Sequence, residues 1–290
     1  MKLFVNDLTV MDFSYLCPQR GMVGESWIVD IILDGGLNEE SMVQDFGIVK
    51  KELKRVIDDY VDHKLVVPAE YHGTKVVHQE EQERVSVDFE FANDQHIHLY
   101  CPPEAYAFVY SEQVDKQSVN AYLKEVIAIH LPENVQSVEI TLRDEEIPTP
   151  FYHYTHGLKK HEGNCQRIAH GHRSKVLIYE NGEESLALQQ AWAERWADIY
   201  IGTREDLVSV KALSHSLGLS DDDYFAFKYE SSQGVFEMAI PKSVCEIIET
   251  DSTVECLAQY IYDEIKTENS NLIEVRAFEG VGKGAIVRDE

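Results

Sequence analysis

The chain reads as an α+β protein made of two tandem copies of one unit, and three observations in its 290 residues carry that reading. The first is an internal repeat. Gln19-Arg20-Gly21-Met22-Val23-Gly24-Glu25 lies over Gln166-Arg167-Ile168-Ala169-His170-Gly171-His172, at an offset of 147 residues. The second is a pair of helices with one-sided apolar stripes, headed by Ser118-Val119-Asn120 and Thr253-Val254-Glu255, 135 residues apart. The third is the alternating strand that follows each helix. Val138-Glu139-Ile140-Thr141-Leu142 and Ile273-Glu274-Val275-Arg276-Ala277 keep the same offset of 135. An insertion or deletion between the blocks accounts for the change of offset.

In order along the chain, each repeated block leads into a strand and a glycine turn. These are residues 27–33 with Asp34-Gly35, and residues 175–179 with Asn181-Gly182. A helix follows in the first copy, where Met42, Phe46, Val49, Leu53, Val56 and Tyr60 have the three-then-four rhythm of a buried stripe. Extra strands are predicted at 85–91 and 224–229, where apolar and polar residues alternate. The later helices bury Val119, Tyr122, Leu123 and Val126 in one copy and Val254, Leu257, Ala258 and Ile261 in the other. Ser118 and Thr253 (or Ser252) are the N-caps expected for them. The units join near Ile147-Pro148-Thr149-Pro150, giving residues 1–147 and 148–290.

A hydrophobic fraction of 44% with 10% aromatics is that of a globular chain, long enough for two cores. No apolar run reaches the length of a membrane span, and Met1-Lys2-Leu3-Phe4-Val5-Asn6-Asp7 lacks a signal-peptide core. The five cysteines are scattered and odd in number, so reduced thiols and a cytoplasmic location are expected. A net charge of −26 argues against nucleic acid or an acidic membrane as partner. Basic residues are dense only around the histidines, at Lys159, Lys160, Arg167, Arg173 and Lys175. They form either a patch for a small anionic substrate or a solvated strand rim.

His170 and His172 alternate along one strand and so share a face. Gly171 between them leaves room for close approach. His156, from the preceding strand, completes a three-histidine zinc site whose fourth position is open, the catalytic pattern. Cys165 is the reactive group expected beside it. Against this stands the ordinary fate of a His-x-His pair in a chain with twelve histidines, which is a solvated or core doublet. His153, His161 and Cys17 are read as structural.

With these pieces placed, the chain resembles the 6-pyruvoyl-tetrahydropterin synthase and 6-carboxytetrahydropterin synthase family. The resemblance rests on His156, Cys165 and His170-Gly171-His172; on Met42-Val43-Gln44-Asp45-Phe46-Gly47-Ile48-Val49-Lys50; on Val61-Asp62-His63-Lys64-Leu65; on Thr253-Val254-Glu255-Cys256-Leu257-Ala258; and on Arg276-Ala277-Phe278-Glu279-Gly280. It implies two tandem tunnelling-fold (T-fold) units, each a four-stranded antiparallel sheet backed by two helices, here with inserted strands. It also implies a homo-oligomer, most simply a trimer of two-unit chains.

Family members carry all these motifs in one unit, whereas here they are divided. The first copy is read as having Ser14, Val23 and Glu25 in place of His156, His170 and His172, and Pro18 in place of Cys165. It keeps Asp62-His63, where the second copy is read as Asp198-Ile199, and Asp144 stands opposite Glu279. The losses are complementary. One composite site and one zinc ion per chain are expected, formed within a chain or between chains.

The resemblance implies 7,8-dihydroneopterin triphosphate as substrate. Zinc on His156, His170 and His172 would polarise the side-chain oxygens, Cys165 as thiolate would take a proton, and His63 oriented by Asp62 would move protons on the other side. Arg167 would favour the thiolate and face the substrate, and Glu279 would anchor the pterin. Release of acetaldehyde gives 6-carboxytetrahydropterin, on a queuosine-type deazapurine route. Triphosphate elimination giving 6-pyruvoyltetrahydropterin and cleavage to a 6-hydroxymethyl pterin are the alternatives in this class. A non-catalytic pterin- or metal-binding scaffold is the alternative outside it, and a zinc hydrolase lacks an acid at the required spacing.

Overall fold

The computed structural model describes residues 1–215 and 218–289. The first half runs β1 (Lys2–Cys17), β2 (Gly21–Gly35), α1 (Phe46–Tyr60), β3 (Leu65–Pro68), β4 (Thr74–Gln79), β5 (Arg84–Phe91), β6 (Gln95–Cys101), β7 (Tyr106–Val109), α2 (Lys116–Ala128) and β8 (Val135–Asp144). The second runs β9 (Phe151–His156), β10 (His170–Glu180), β11 (Glu183–Glu184), α3 (Leu186–Arg195), β12 (Ile199–Thr203), β13 (Leu207–Val208), β14 (Tyr224–Ser231), β15 (Gly234–Pro241), β16 (Cys245–Ile248), α4 (Val254–Glu268), β17 (Ile273–Phe278) and β18 (Gly284–Arg288).

Two sheets repeat one plan, β7-β3-β1-β2-β8 and β16-β12-β9-β10-β17-β18, with β11 beside β10. Each has an antiparallel centre, β1-β2-β8 or β9-β10-β17. Parallel pairing then adds β3 and β7 to one centre and β12 and β16 to the other, so both sheets are wider than four strands and mixed. A parallel neighbour needs a long crossover. The inserted strands lie in those crossovers, β4 to β6 between β3 and β7, and β13 to β15 between β12 and β16. They pair with each other as a third sheet, β13-β14-β15-β6-β5-β4, shared by the two copies. Its seam sets Tyr100 opposite Glu237 and Leu99 opposite Met238.

Burial follows this plan. Val49, Leu53 and Ile57 of α1 and Val119 and Leu123 of α2 pack on Phe13, Trp27, Val29 and Ile31 of the first sheet. Trp192 of α3, Trp196 just beyond it and Leu257 and Ile261 of α4 do the same on Tyr152, Tyr154, Val176 and Ile178. A third core lies under the shared sheet. Phe89, Phe227, Phe236 and Met238 meet Leu16 and Leu65 from one copy and Ile168 and Tyr200 from the other. Removal of that much apolar surface from water is the main force holding the copies together.

Two helix starts differ from expectation. Helix α1 begins at Phe46 because the Asp45 carboxylate accepts from Gly47 N at 2.8 Å and Ile48 N at 3.1 Å; Met42 lies before it and Phe46 is exposed. In α2 the cap is Asp115. Ser118, three residues in, returns a bond to Asp115 N at 3.0 Å, a reciprocal capping box. Thr253 caps α4 as expected.

Strand register aligns the copies residue by residue. Gly24 pairs with Ser14 and Val23 with Tyr15, while Gly171 pairs with Thr155 and His170 with His156. Tyr15, not Ser14, therefore stands at the place of His156, and Ser14 corresponds to Thr155. The corresponding residues face each other. Ser14 Oγ and Thr155 Oγ1 are 2.8 Å apart, and a Cβ on Gly171 would lie 2.7 Å from Gly24 Cα. A side chain on Gly24 would strike the Tyr154 carbonyl and His172 N, so neither position has room for one.

Candidate active site

His156 ends β9 and His170 opens β10 directly opposite it, with His172 two residues on. All three rings are buried, and one nitrogen of each lies within 4.8 Å of the others. The opposite nitrogens of two rings are tied down. His156 Nδ1 donates to Ser252 O at 2.9 Å, and His170 Nδ1 donates to the Arg167 carbonyl at 3.1 Å. His172 Nδ1 lies 3.2 Å from Asp12 Oδ1. Nε2 of all three has no hydrogen-bond partner, and neither has His172 Nδ1, which meets Asp12 by proximity of charge alone. An unpaired buried imidazole nitrogen is costly; three that converge fit the ligand set of a divalent cation. Burial, then the neighbouring rings, hold His156 and His170 well below the ordinary histidine range, leaving them neutral with a lone pair to give.

The outer contacts explain the cap motif. Thr253 starts α4, and that turn aims the Ser252 carbonyl at His156. Asp12, from the first copy, went unnoticed in the sequence; its signal there is a lone acid between Met11 and Phe13 on a buried strand. It accepts from Ser26 Oγ at 2.5 Å and lies 3.3 Å from Lys283 Nζ. Burial opposes its charge, but His172, Lys283 and Ser26 hold it well below the usual carboxylate range. Partners of this kind fix ring orientation and raise ligand basicity. Asp12→Asn is expected to weaken the binding of a divalent cation to these histidines about 10–100-fold, measured by chelator competition; unchanged affinity would remove Asp12 from this role.

Asp62 and His63 reach the same place from the first copy. They follow α1 in a tight turn where His63 takes a left-handed backbone, φ 55°. Strand β1 holds the turn: Asp12 N donates to Asp62 Oδ1 at 2.7 Å and His63 N donates to Asp12 O at 2.7 Å. Asp62 Oδ2 lies 2.5 Å from His63 Nδ1, and the His63 ring is 5.2 Å from that of His170. Ligand-type atoms of His63, Cys165 and His170 lie within 4.8 Å of one another. Burial works against charge on His63, but Asp62 and Cys165 outweigh it and raise its value to about 10. The two halves thus meet within one chain.

In the second copy Leu65 corresponds to Tyr200 by register, so His63 corresponds to Asp198 and Asp62 to Ala197, one residue earlier than Asp198-Ile199. Asp198 shares the left-handed turn, φ 55°, and takes a two-pronged bond from Arg20 at 2.8 and 2.5 Å. Around it, Tyr15, Val23 and Glu25 replace the histidines, and burial raises Glu25 to about 7. Among the described residues, the two clusters able to ligate a metal both contain His170.

Cys165 sits in the short turn Asn164–Gln166 and is partly exposed. Glu279 follows β17, with Oε1 4.0 Å from His172 Nε2 and Oε2 3.6 Å from Lys283 Nζ. Arg167 is buried: Nε donates to Gln233 Oε1 at 3.1 Å and Nη1 to the His63 carbonyl at 3.4 Å. It also lines a cleft of about 910 Å³ with His78, Arg84, Glu104 and Gln233. The rest of the basic patch does not assemble. Lys159 and Lys160 are held by Asp206, Glu205 and Asp251. Arg173 and Lys175 bind Glu145, because alternation along β10 turns them away from the histidines.

Among the described residues no helix is long and apolar enough to cross a membrane. No curated protein matches the chain. Among solved structures, 6-pyruvoyl tetrahydropterin synthase from Plasmodium vivax is 14% identical with a TM-score of 0.40, over 51% of this chain and 93% of that one. The Plasmodium falciparum protein of that description is 13% identical with a TM-score of 0.37, over 49% and 90%. A family model described as 6-pyruvoyl tetrahydropterin synthase matches residues 149–290, which include the three histidines, Cys165 and Glu279. Residues 149–290 thus belong to the 6-pyruvoyl tetrahydropterin synthase family.

Proposed function

We propose that this chain is a zinc-dependent pterin synthase that acts on the side chain of 7,8-dihydroneopterin triphosphate, takes up one water and forms 6-carboxytetrahydropterin with release of both acetaldehyde and inorganic triphosphate. One observation carries the reading: three unpaired imidazole nitrogens converge beside Cys165 and the Asp62–His63 pair. Zinc held by His156, His170 and His172 would supply Lewis-acid polarisation of the substrate's side-chain oxygens. Cys165 takes the proton from the carbon so acidified. His63, charged and oriented by Asp62, returns one on the other side. Glu279 accepts hydrogen bonds from the pterin amino group and ring N–H, held in place by Lys283. Arg167 keeps its carbonyl on His170 Nδ1 and its guanidinium on the His63 carbonyl, tying the two halves of the site together.

The proposal includes a division at residues 147 and 148, a homotrimeric assembly and a cytoplasmic setting. A second reading, triphosphate elimination to 6-pyruvoyltetrahydropterin, is favoured by the description of the matching family. Incubation of zinc-loaded protein with 7,8-dihydroneopterin triphosphate, followed by product identification, separates the two. Acetaldehyde with 6-carboxytetrahydropterin is expected. Inorganic triphosphate without acetaldehyde would establish the second reading, and no consumption by zinc-replete protein would sink both.

A further inference from the structure

The segment that carries Cys165 joins β9 to β10 and has few backbone bonds of its own: Leu158 N to Cys165 O at 2.9 Å, and short turns at Leu158, Gly163 and Asn164. Ion pairs hold its start at Lys159 and Lys160, and around the cysteine itself the inserted hairpin of β14 and β15 takes over. Tyr229 Oη donates to the Gln166 carbonyl at 2.7 Å. The Gln166 amide is almost fully buried, and its Oε1 accepts from Ser232 Oγ and from Gln233 N, both at 3.0 Å. Gln233 grips both flanks of the cysteine. Its Nε2 donates to Asn164 Oδ1 at 2.8 Å, and its Oε1 accepts from Arg167 Nε at 3.1 Å. Arg167 then passes the hold to both halves of the site, through its carbonyl to His170 and its guanidinium to the His63 carbonyl.

We infer that the tip of the β14–β15 hairpin is a positioning element for the thiol, with Gln233 as the positioning residue that fixes Cys165 between His63 and His170. The inserted strands thus have a task beyond covering a core. Through the seam with β6, the hairpin belongs to a sheet built from both copies, so the placement of the thiol is tied to the joint between them. A side chain held at both ends of a three-residue turn restricts that turn in two directions, and small errors of placement at a reacting group are costly.

The catalytic part of this inference rests on the proposed reaction; the positioning part does not. Two variants of zinc-loaded protein test it, Gln233→Ala and Gln233→Glu. The glutamate keeps the acceptor for Arg167, and Asn164 can turn its amide to donate to it. For Gln233→Ala, kcat is expected to fall about 10–100-fold with KM within about twofold, the pattern of a misplaced group rather than lost substrate binding. Without substrate, alkylation of Cys165 by iodoacetamide, read by mass spectrometry, should accelerate about threefold or more as the turn opens. Zinc content should stay at one ion per chain, and Gln233→Glu should recover most of both losses. Wild-type alkylation and kcat in Gln233→Ala would overturn the inference. So would a glutamate variant no better than alanine, or a lowered melting temperature with no change in kcat. If the wild-type protein turns over no pterin, the proposed function fails, and the alkylation rates still decide whether the hairpin holds the thiol.

Discussion

Replacing His170 by alanine is expected to take zinc from one ion per chain to near none and to cut turnover about a thousandfold or more, since several kcal/mol of charge stabilisation go with the ion. The geometry makes this site intolerant. His170 is the central member, paired across the strands with His156, two residues from His172 and 5.2 Å ring to ring from His63. Two buried imidazoles without the third do not make a catalytic ligand set. A readout independent of turnover is available. On the proposed function zinc binds the folded state, so it should raise the melting temperature of the wild-type protein and leave that of His170→Ala unmoved. Elemental analysis and a thermal scan with and without chelator check both. One zinc retained by the variant would place the ion elsewhere.

His63→Ala separates the acid–base machinery from the metal. A loss of about 10²–10⁴-fold in turnover is expected with zinc content intact, the usual range for a positioned proton-transfer group. The sign of the pH dependence follows from the pair. His63 is raised from an ordinary 6.5 to about 10, so the charged ring survives neutral pH and is lost only as pH climbs through about 10. Proton donation therefore persists through neutral pH and is lost as pH climbs through about 10. The stability the Asp62–His63 pair contributes is instead complete below 6.5 and is lost over the interval up to about 10. The alkaline limb of the rate profile should therefore vanish in the variant. An unchanged profile would show that the proton comes from another group.

The sequence discloses this site unevenly. His-Gly-His and Asp-His are local patterns, and their complementary loss in the two copies points by itself to a divided centre. Register was another matter. The connection from His156 to His170 is six residues longer than the matching one from Tyr15 to Val23, so the sequence alone sets Ser14 against His156 where Tyr15 belongs. Asp198-Ile199 likewise stood where Ala197-Asp198 does. Only the pairing of strands fixes such a count, and a slip of one reverses every side chain. Of the two readings of the basic residues, the substrate patch keeps only Arg167 beside the histidines, because alternation sends Arg173 and Lys175 to the face opposite His172. Asp12 and the shared third sheet depend on which strands become neighbours. No window of local sequence contains that information.

The contact between Ser14 and Thr155, beside the abutting Gly24 and Gly171, has one more consequence. Where a surface meets a copy of itself, each residue on the dyad faces its own twin, and one mutation alters both sides at once. A fused chain keeps that isologous geometry without the obligation. Either side can drift alone, as serine against threonine has. The same freedom reaches the histidines: Glu25 and His172 occupy twin places in a pseudo-dimer, and a true homodimer could not have written them differently.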